Sequence, residues 1–294
     1  MRTATRTDAP AAEPYAAGTT LDWILRIGVF LCFLGHGSFA LMAKPEWTSF
    51  FGVVGIPEGA AMHIMPWVGL LDLTIGTLAL ASPRPLVFLW ATIWCTWTAT
   101  LRPLTGLGMW EFWVRGCNFG IPLAFLALHP WPRSLREWVD PNTPGPLTAE
   151  RLRISSLVLR IAIALALIGH AGLVAFQQKA ALLEMYAKVG LPHSIDGIPL
   201  GPAIGWFELA LAAAVLVKPF RGLLVFVCVY RVMTGLLHPI SGEYWWEFIE
   251  RGADYVAPIA LILVGNALIA ERARARAQAR VPIVDALSTT PVTR

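Results

Sequence analysis

The sequence predicts an all-α, polytopic membrane protein with eight transmembrane helices, arranged as two parallel four-helix bundles related by a pseudo-two-fold axis along the membrane normal. The first observation is composition: 56% of the 294 residues are hydrophobic and only 14% are charged, whereas a soluble domain carries about 25% charged residues. The second is a set of long apolar runs, which are typical of membrane helices. The third is an internal repeat that divides the chain into two halves. We interpret the net charge of +4 as a guide to membrane orientation and expect no nucleic-acid partner.

Eight apolar segments follow one another along the chain. Each must be helical where it crosses a bilayer, because backbone groups in lipid have to be hydrogen-bonded within the segment. Some are short for a hydrocarbon core of about 30 Å, which indicates helices whose ends lie in the interface. The segments are residues 23–43, 61–81, 86–101, 113–130, 154–176, 200–217, 222–237 and 253–270.

The internal repeat is most visible in a Trp-Glu-Phe motif that begins at Trp110 and again at Trp246. Further short motifs recur in the same order in both halves. Because each half has an even number of predicted spans, both halves enter the membrane from the same side, and the repeat is parallel. The recurring pairs include Arg26 and Arg160, His36 and His170, Gly55 and Gly190, Asp72 and Glu208, Arg102 and Arg231, and Pro122 and Pro258.

The repeat and the composition together predict five segments of the chain. A Pro-rich, charged stretch separates the two halves, and a basic stretch follows the second half. Basic helices of this kind lie along anionic headgroups. The segments are a disordered cytoplasmic tail (1–21), the first four-helix repeat (22–131), a cytoplasmic linker (132–153), the second four-helix repeat (154–270) and a basic cytoplasmic tail (271–294).

Lys and Arg residues predict how the helices are oriented. With the N-terminus inside, 16 of the 23 Lys and Arg residues lie on the inner side and 7 on the outer side. Short loops rich in Lys and Arg stay in the cytoplasm. We therefore expect a multi-pass protein of a bacterial-type inner (plasma) membrane, with both termini cytoplasmic.

A polar helix face recurs next to the two Trp-Glu-Phe motifs. Glu111, Arg115 and Asn118 stand at positions i, i+4 and i+7, which places them on one face. This face predicts either an internal ion pair that holds the outer loop to the bundle or a polar cradle for a headgroup or an oxidisable ring. The second half repeats the face with Glu247, Arg251 and Asp254.

Two further arginines, Arg102 and Arg231, end the third and seventh predicted spans near the same outer surface. Arg102 could reach Glu111 across the intervening turn. Such an Arg is neutralised by a carboxylate, binds an anionic or quinone-type oxygen, or extends to the headgroups.

Each half also carries a His and a carboxylate within predicted spans. Asp72 and Glu208 follow a Gly at i−3, which indicates a close-packed helix face away from lipid. Their expected partners are His36 and His170 of the preceding spans. Each pair is either a proton relay or a hydrogen bond that holds two helices together.

His36 and His170 carry one further hypothesis. If their helices face each other, the two histidines could jointly ligate a haem, or form a metal site with Asp72 and Glu208. One His in each half is a minimal motif, so we assign no metal ligands from the sequence. The four cysteines have no CxxC spacing, and motifs for nucleotide binding are missing.

Each half resembles the DoxX-like family of membrane proteins. The resemblance rests on an opening Arg26, the pair Gly35 and His36, the outer loop 55–57 (Gly-Ile-Pro) and Asp72 three residues after a Gly. The second half supplies the same pattern. Members of this family with assigned roles resemble membrane subunits of redox systems, including thiosulfate:quinone oxidoreductase. A Lys commonly follows the family's His at short distance; in this sequence Lys44 follows later.

The resemblance implies a role in quinone-linked redox chemistry, with quinone as the expected cofactor. The binding site would be formed in the outer leaflet by Arg102, Glu111, Arg115, Asn118, Arg231, Glu247, Arg251 and Asp254, and the catalytic proton carriers would be His36, Asp72, His170 and Glu208. Two alternatives stay open: a non-catalytic protein that binds or transports a lipid or small hydrophobic solute, and a membrane scaffold subunit of a larger redox complex. The expected partners are accordingly the lipid bilayer, a hydrophobic small molecule and redox partner subunits.

Overall fold

The structure, a computed structural model, describes residues 14–142 and 147–280, and about 81% of the chain is helical. The elements are helix α1 (Pro14–Leu41), a 3-10 turn (Pro45–Trp47), α2 (Thr48–Gly52), α3 (Glu58–Ala81), α4 (Pro85–Leu104), α5 (Met109–Trp113), α6 (Gly116–Leu128), α7 (Leu135–Val139), α8 (Ala149–Ala171), a π-helical turn (Gly172–Phe176), α9 (Ala180–Lys188), strands β1 (Ser194–Ile195) and β2 (Ile198–Pro199), α10 (Leu200–Val217), α11 (Arg221–Ile240), α12 (Trp245–Glu250) and α13 (Gly252–Arg280).

The described residues contain six helical stretches that are long and apolar enough to cross a membrane. This finding agrees with an all-α, multi-pass membrane protein. The stretches are Gly18–Leu41, Glu58–Ala81, Ala149–Phe176, Leu200–Val217, Arg221–Ile240 and Trp245–Arg276. The third and fourth predicted segments coincide with α4 and α6, which do not meet the same criteria. The small β1–β2 hairpin was not predicted.

Several segment boundaries differ from the prediction. Helix α1 begins at Pro14, and Leu21 is fully buried, so the predicted disordered tail is wrong for residues 14–21; residues 1–13 lie outside the described residues. Helix α7 lies within the predicted linker, where the hydroxyl of Ser134 caps its first turn. Helix α13 continues without a break into the predicted basic tail as far as Arg280, and residues 281–294 are not described.

Four helices, α1, α6, α8 and α13, form the centre of the molecule. Helix α1 packs against α6 and α13, and α8 packs against the same two helices. The remaining long helices lie outside this centre, each against one central helix: α3 on α1, α4 on α6, α10 on α8 and α11 on α13. The buried side chains of the central helices form one continuous hydrophobic core.

The two short helices α5 and α12 carry the Trp-Glu-Phe motifs, and each packs against the first long helix of the other half. Helix α12 contacts α1 at Gly35, where a Cβ would overlap the backbone of Glu250. Helix α5 contacts α8 at Gly169, where a Cβ would overlap the backbone of Val114. Gly35 and Gly169, which directly precede His36 and His170, therefore permit a close approach of two backbones.

Arg26 and Arg160, the opening arginines of the two halves, each donate hydrogen bonds to carbonyl oxygens near the end of a neighbouring helix. Arg26 donates hydrogen bonds to the carbonyl oxygens of Ala79 and Leu80 at the end of α3. Arg160 donates to the carbonyl of Val215, at 3.3 Å, and to that of Val217 near the end of α10. A cation at a helix C-terminus satisfies carbonyls that lack a helical donor.

Candidate functional site

Residues of both halves of the chain line one cavity of about 220 Å³. The eight residues predicted to bind a ligand all line it: Arg102, Glu111, Arg115, Asn118, Arg231, Glu247, Arg251 and Asp254. These eight residues therefore belong to one site that the two halves share. The pairing of α5 with α8 and of α12 with α1 draws the two motifs to the same place.

On one side of the cavity, three cations surround Glu111. Its Oε2 accepts a hydrogen bond of 2.9 Å from Arg115 and lies 3.8 Å from Arg102 Nη1, and its Oε1 accepts from Lys179. The predicted approach of Arg102 to Glu111 is thus confirmed. Burial raises the pKa of Glu111, but the charges of Arg115, Lys179 and Arg102 outweigh it and lower the pKa to about 2. Glu111 is therefore an ionised carboxylate at neutral pH.

On the opposite side, Glu247 has a matching set of partners. Its Oε2 accepts a 2.8 Å hydrogen bond from Arg251, and its Oε1 accepts one of 2.8 Å from Lys44. Both lysines cross between the halves, because Lys44 precedes the linker and pairs with Glu247, whereas Lys179 follows the linker and pairs with Glu111. Each Glu thus joins the Arg four residues later to a Lys of the other half. The predicted single helix face through Glu111, Arg115 and Asn118 is wrong, because α5 ends at Trp113 and α6 begins at Gly116, which leaves Arg115 in the turn between them.

Lys44 and Lys179 were not predicted as site residues. Their positions do carry a signal: Lys44 stands eight residues after His36, and Lys179 stands nine residues after His170. Lys44 follows His36 at a longer distance than the Lys of DoxX-like proteins follows its His, yet its side chain reaches the cavity. Comparing the two halves at this spacing would have found both lysines.

The two remaining arginines differ in their partners. Arg231 forms an ion pair with Asp254, and both side chains are at least nine-tenths buried. The residue equivalent to Asp254 is Asn118, which carries no charge. Among the described residues, the Arg102 guanidinium has no hydrogen-bond acceptor, and its Nε is buried. The two halves therefore present different charges to the cavity.

The predicted His–carboxylate contacts are confirmed in both halves. Nδ1 of His36 lies 2.8 Å from Asp72 Oδ2, and Nδ1 of His170 lies 2.7 Å from Glu208 Oε2. Both carboxylates are fully buried. The hydroxyl of Tyr230 donates to the second oxygen of Glu208 at 2.9 Å, whereas the second oxygen of Asp72 has no partner among the described residues.

The two histidines stand in different relations to the cavity. His170 lines the cavity. His36 lies behind Trp47, whose ring is 4.5 Å from the imidazole and forms part of the cavity wall. Each histidine belongs to its own carboxylate pair, and joint ligation of a haem or metal ion by His36 and His170 stays a prediction.

A third histidine, His238, lies near the end of α11. His238 is buried, lines the cavity and lies 2.6 Å from Glu243. With Glu247 these two residues form the one cluster in the described part of the chain whose ligand atoms are close enough to hold a metal ion. Because both oxygens of Glu247 already accept hydrogen bonds from Lys44 and Arg251, a cation would have to displace charges of its own sign.

The arrangement favours binding of a polar molecule through several charged donors at once. No family model, no curated protein and no solved structure matches this chain.

Proposed function

We propose that this chain is a tandem DoxX-like protein that takes part in quinone-linked redox chemistry, with the quinone headgroup in the central cavity. The observation that carries the proposal is that all eight residues predicted to bind a ligand, which come from two motifs far apart in the sequence, line one cavity. A cavity built from both copies of a repeated motif is typical of a binding site on a pseudo-symmetry axis.

The proposal includes eight spans, two parallel repeats and cytoplasmic termini. It is supported by contacts that recur in both halves: each Glu pairs with an Arg four residues later, each opening Arg caps a helix, and each His pairs with a carboxylate. In this arrangement, α4 is the third span and α6 is the fourth, and the short helix α5 precedes the fourth span. The distribution of Lys and Arg supports an inner-membrane protein with both ends inside.

The residues of the cavity fit a quinone headgroup. Its volume of about 220 Å³ is below the range of about 300–1,000 Å³ that holds drug-sized ligands, so it suits a ring without its isoprenoid tail. Leu173, Leu182 and Met185 supply apolar wall. The guanidinium of Arg102 is the donor that is free to meet a quinone oxygen, because no described residue accepts a hydrogen bond from it.

A bound quinone would supply reversible two-electron, two-proton chemistry. The chain itself would supply orientation and protons. Glu111 and Glu247 hold the cationic side chains in place, and His170 is a titratable ring that lines the cavity. Since Glu208 engages Nδ1 of His170, Nε2 is the nitrogen that would exchange a proton with the ligand.

The first test is organic extraction of quinone from the detergent-purified full chain, followed by titration with a short-chain ubiquinone analogue. Binding would be measured by quenching of tryptophan fluorescence, since Trp47 lies in the cavity wall. We expect saturable binding to the wild type. Ala181→Phe should abolish it, because Ala181 lines the cavity and a phenyl ring would fill the space, while the neighbouring Ala180→Phe is the matched control.

Two outcomes would overturn the quinone proposal. One is the lack of both co-extracted quinone and saturable titration in the wild type. The other is equal quinone affinity for Ala181→Phe and the wild type.

A second candidate function is non-catalytic binding or transport of a small polar solute, and the charge of the cavity favours it. Six Lys and Arg residues and five Asp and Glu residues line the cavity, whereas small-molecule pockets are generally lined by hydrophobic and aromatic side chains with few polar groups. Uptake of solute into proteoliposomes, without any change in the redox state of added quinone, would select this function.

A further inference from the structure

The cavity has a formal charge of +1 when its histidines are neutral. The acids that line it are Glu111, Glu243, Glu247, Glu250 and Asp254, and the cations are Lys44, Arg102, Arg115, Lys179, Arg231 and Arg251. A net charge is costly where it lies on buried side chains, because protein screens it less than water does, and several of these side chains are buried, Arg231 and Asp254 among them. One monovalent anion would bring the cavity to neutrality.

The two halves of the repeat differ by one carboxylate in the cavity wall. In the second half, Arg231 pairs with Asp254. In the first half, the equivalent residues are Arg102 and Asn118, so the Arg is present and its carboxylate is replaced by an amide. Arg102 has its closest acid, Glu111, at 3.8 Å, and that acid already accepts hydrogen bonds from Arg115 and Lys179.

The side chains of Arg102 and Asn118 are also free to bind. Both line the cavity, and neither forms a side-chain hydrogen bond to any of the residues in 14–142 and 147–280. The Arg102 side chain is 12% exposed, so bulk water does not screen its charge fully. The cavity wall therefore offers a guanidinium and an amide that have no side-chain hydrogen bond to a described residue, and guanidinium and amide donors suit an oxyanion.

Glu250 does not form the missing ion pair. It is buried and lines the cavity, and its charge acts on Arg102, but it has no ion pair with a described residue. The formal charge of +1 already counts Glu250 as an anion, so a positive excess remains.

We propose that the cavity binds one small monoanion with a carboxylate-like oxygen group between Arg102 and Asn118, in the place that Asp254 occupies beside Arg231. The anionic group occupies the position of the missing side-chain carboxylate. This site goes beyond quinone binding, but it uses the Arg102 guanidinium that the quinone proposal also uses, so an anion and a quinone would compete for that side chain. The same chemistry could come from a free carboxylate or from the phosphodiester of an anionic phospholipid.

The test uses the full chain in an uncharged detergent, at constant ionic strength, in a buffer whose only anion is a bulky sulfonate. Acetate is the probe, and its affinity is measured by isothermal titration calorimetry. We expect one equivalent to bind to the wild type. Asn118→Asp should weaken acetate binding at least about tenfold, because the introduced carboxylate takes the place of the anion and ion pairs of this kind are strong.

A matched control places the same charge elsewhere. Asn266→Asp, on an exposed position of α13 away from the cavity, should bind acetate as the wild type does. Asn118→Asp should also melt at a higher temperature than the wild type in acetate-free buffer, since Arg102 then has an internal partner. This increase in stability shows that lost binding does not reflect misfolding.

A separate experiment tests whether the anion is the phosphodiester of a phospholipid. Native mass spectrometry of the wild type and of Asn118→Asp, both purified from membranes containing phosphatidylglycerol, would show one retained lipid in the wild type and none in the variant if the phosphodiester is the occupant. Acetate binding or lipid retention that is equal in the wild type and in Asn118→Asp refutes the proposal, as does the lack of both in the wild type. Quinone titration of the same samples is scored separately, so that failure of either proposal leaves the other testable.

Discussion

Replacing Glu111 by Gln should destabilise the protein in a pH-dependent way. The change removes the single carboxylate that faces Arg102, Arg115 and Lys179, while it preserves the size of the side chain. Three cations would then surround a neutral amide, at a position where the side chain of Glu111 is only 5% exposed. An uncompensated buried charge is strongly destabilising.

The size of the effect follows from the pKa of Glu111, which the neighbouring cations lower from 4.5 to about 2 against the opposing effect of burial. Each pKa unit corresponds to about 1.36 kcal/mol, so the ionised carboxylate stabilises the folded state by about 3 kcal/mol. Because the pKa is lower in the folded state, this stabilisation is fully present above the unfolded-state value of about 4.5 and is lost as the pH falls toward 2.

The assay compares denaturant unfolding of the wild type and Glu111→Gln in detergent at pH 6 and at pH 3. We expect a difference in the free energy of unfolding of about 3 kcal/mol at pH 6 and a clearly smaller difference at pH 3. Glu184→Gln removes an exposed carboxylate and is the control, with a change within about 0.5 kcal/mol. An equal loss at both pH values, or a loss no larger than that of the control, would refute the reasoning.

Two further predictions concern packing and hydrogen bonding. Gly169→Ala should destabilise the protein by about 1–3 kcal/mol, because its Cβ would overlap the backbone of Val114; Gly265→Ala, in open space on α13, should be neutral or slightly stabilising, and thermal unfolding compares the two. Tyr230→Phe should cost about 1 kcal/mol, because it removes the 2.9 Å hydrogen bond to Glu208, and an unchanged melting temperature would contradict this.

Local patterns were sufficient for the helices and for the contacts within each half. Apolar runs alone located every long helix, with end errors such as the earlier start of α1 at Pro14. The spacing of Glu111 and Arg115 predicted their ion pair, although the helix breaks between them, with α5 ending at Trp113 and Arg115 lying in the turn that follows. The pairing of His36 with Asp72 also followed, since the helices that carry them are successive spans and pack closely.

What the sequence by itself determined is therefore the helical class, the helix positions and the identity of the polar residues that needed partners. Only the tertiary structure decided that the two polar faces line one cavity, that Lys44 and Lys179 cross between the halves, and that His238 lies inside. Periodicity and spacing report the surroundings of a residue within a few turns of its own helix. The meeting of residues more than a hundred positions apart depends on which helices pack together, and here the close approach at Gly35 and Gly169 brings each Trp-Glu-Phe segment onto the other half.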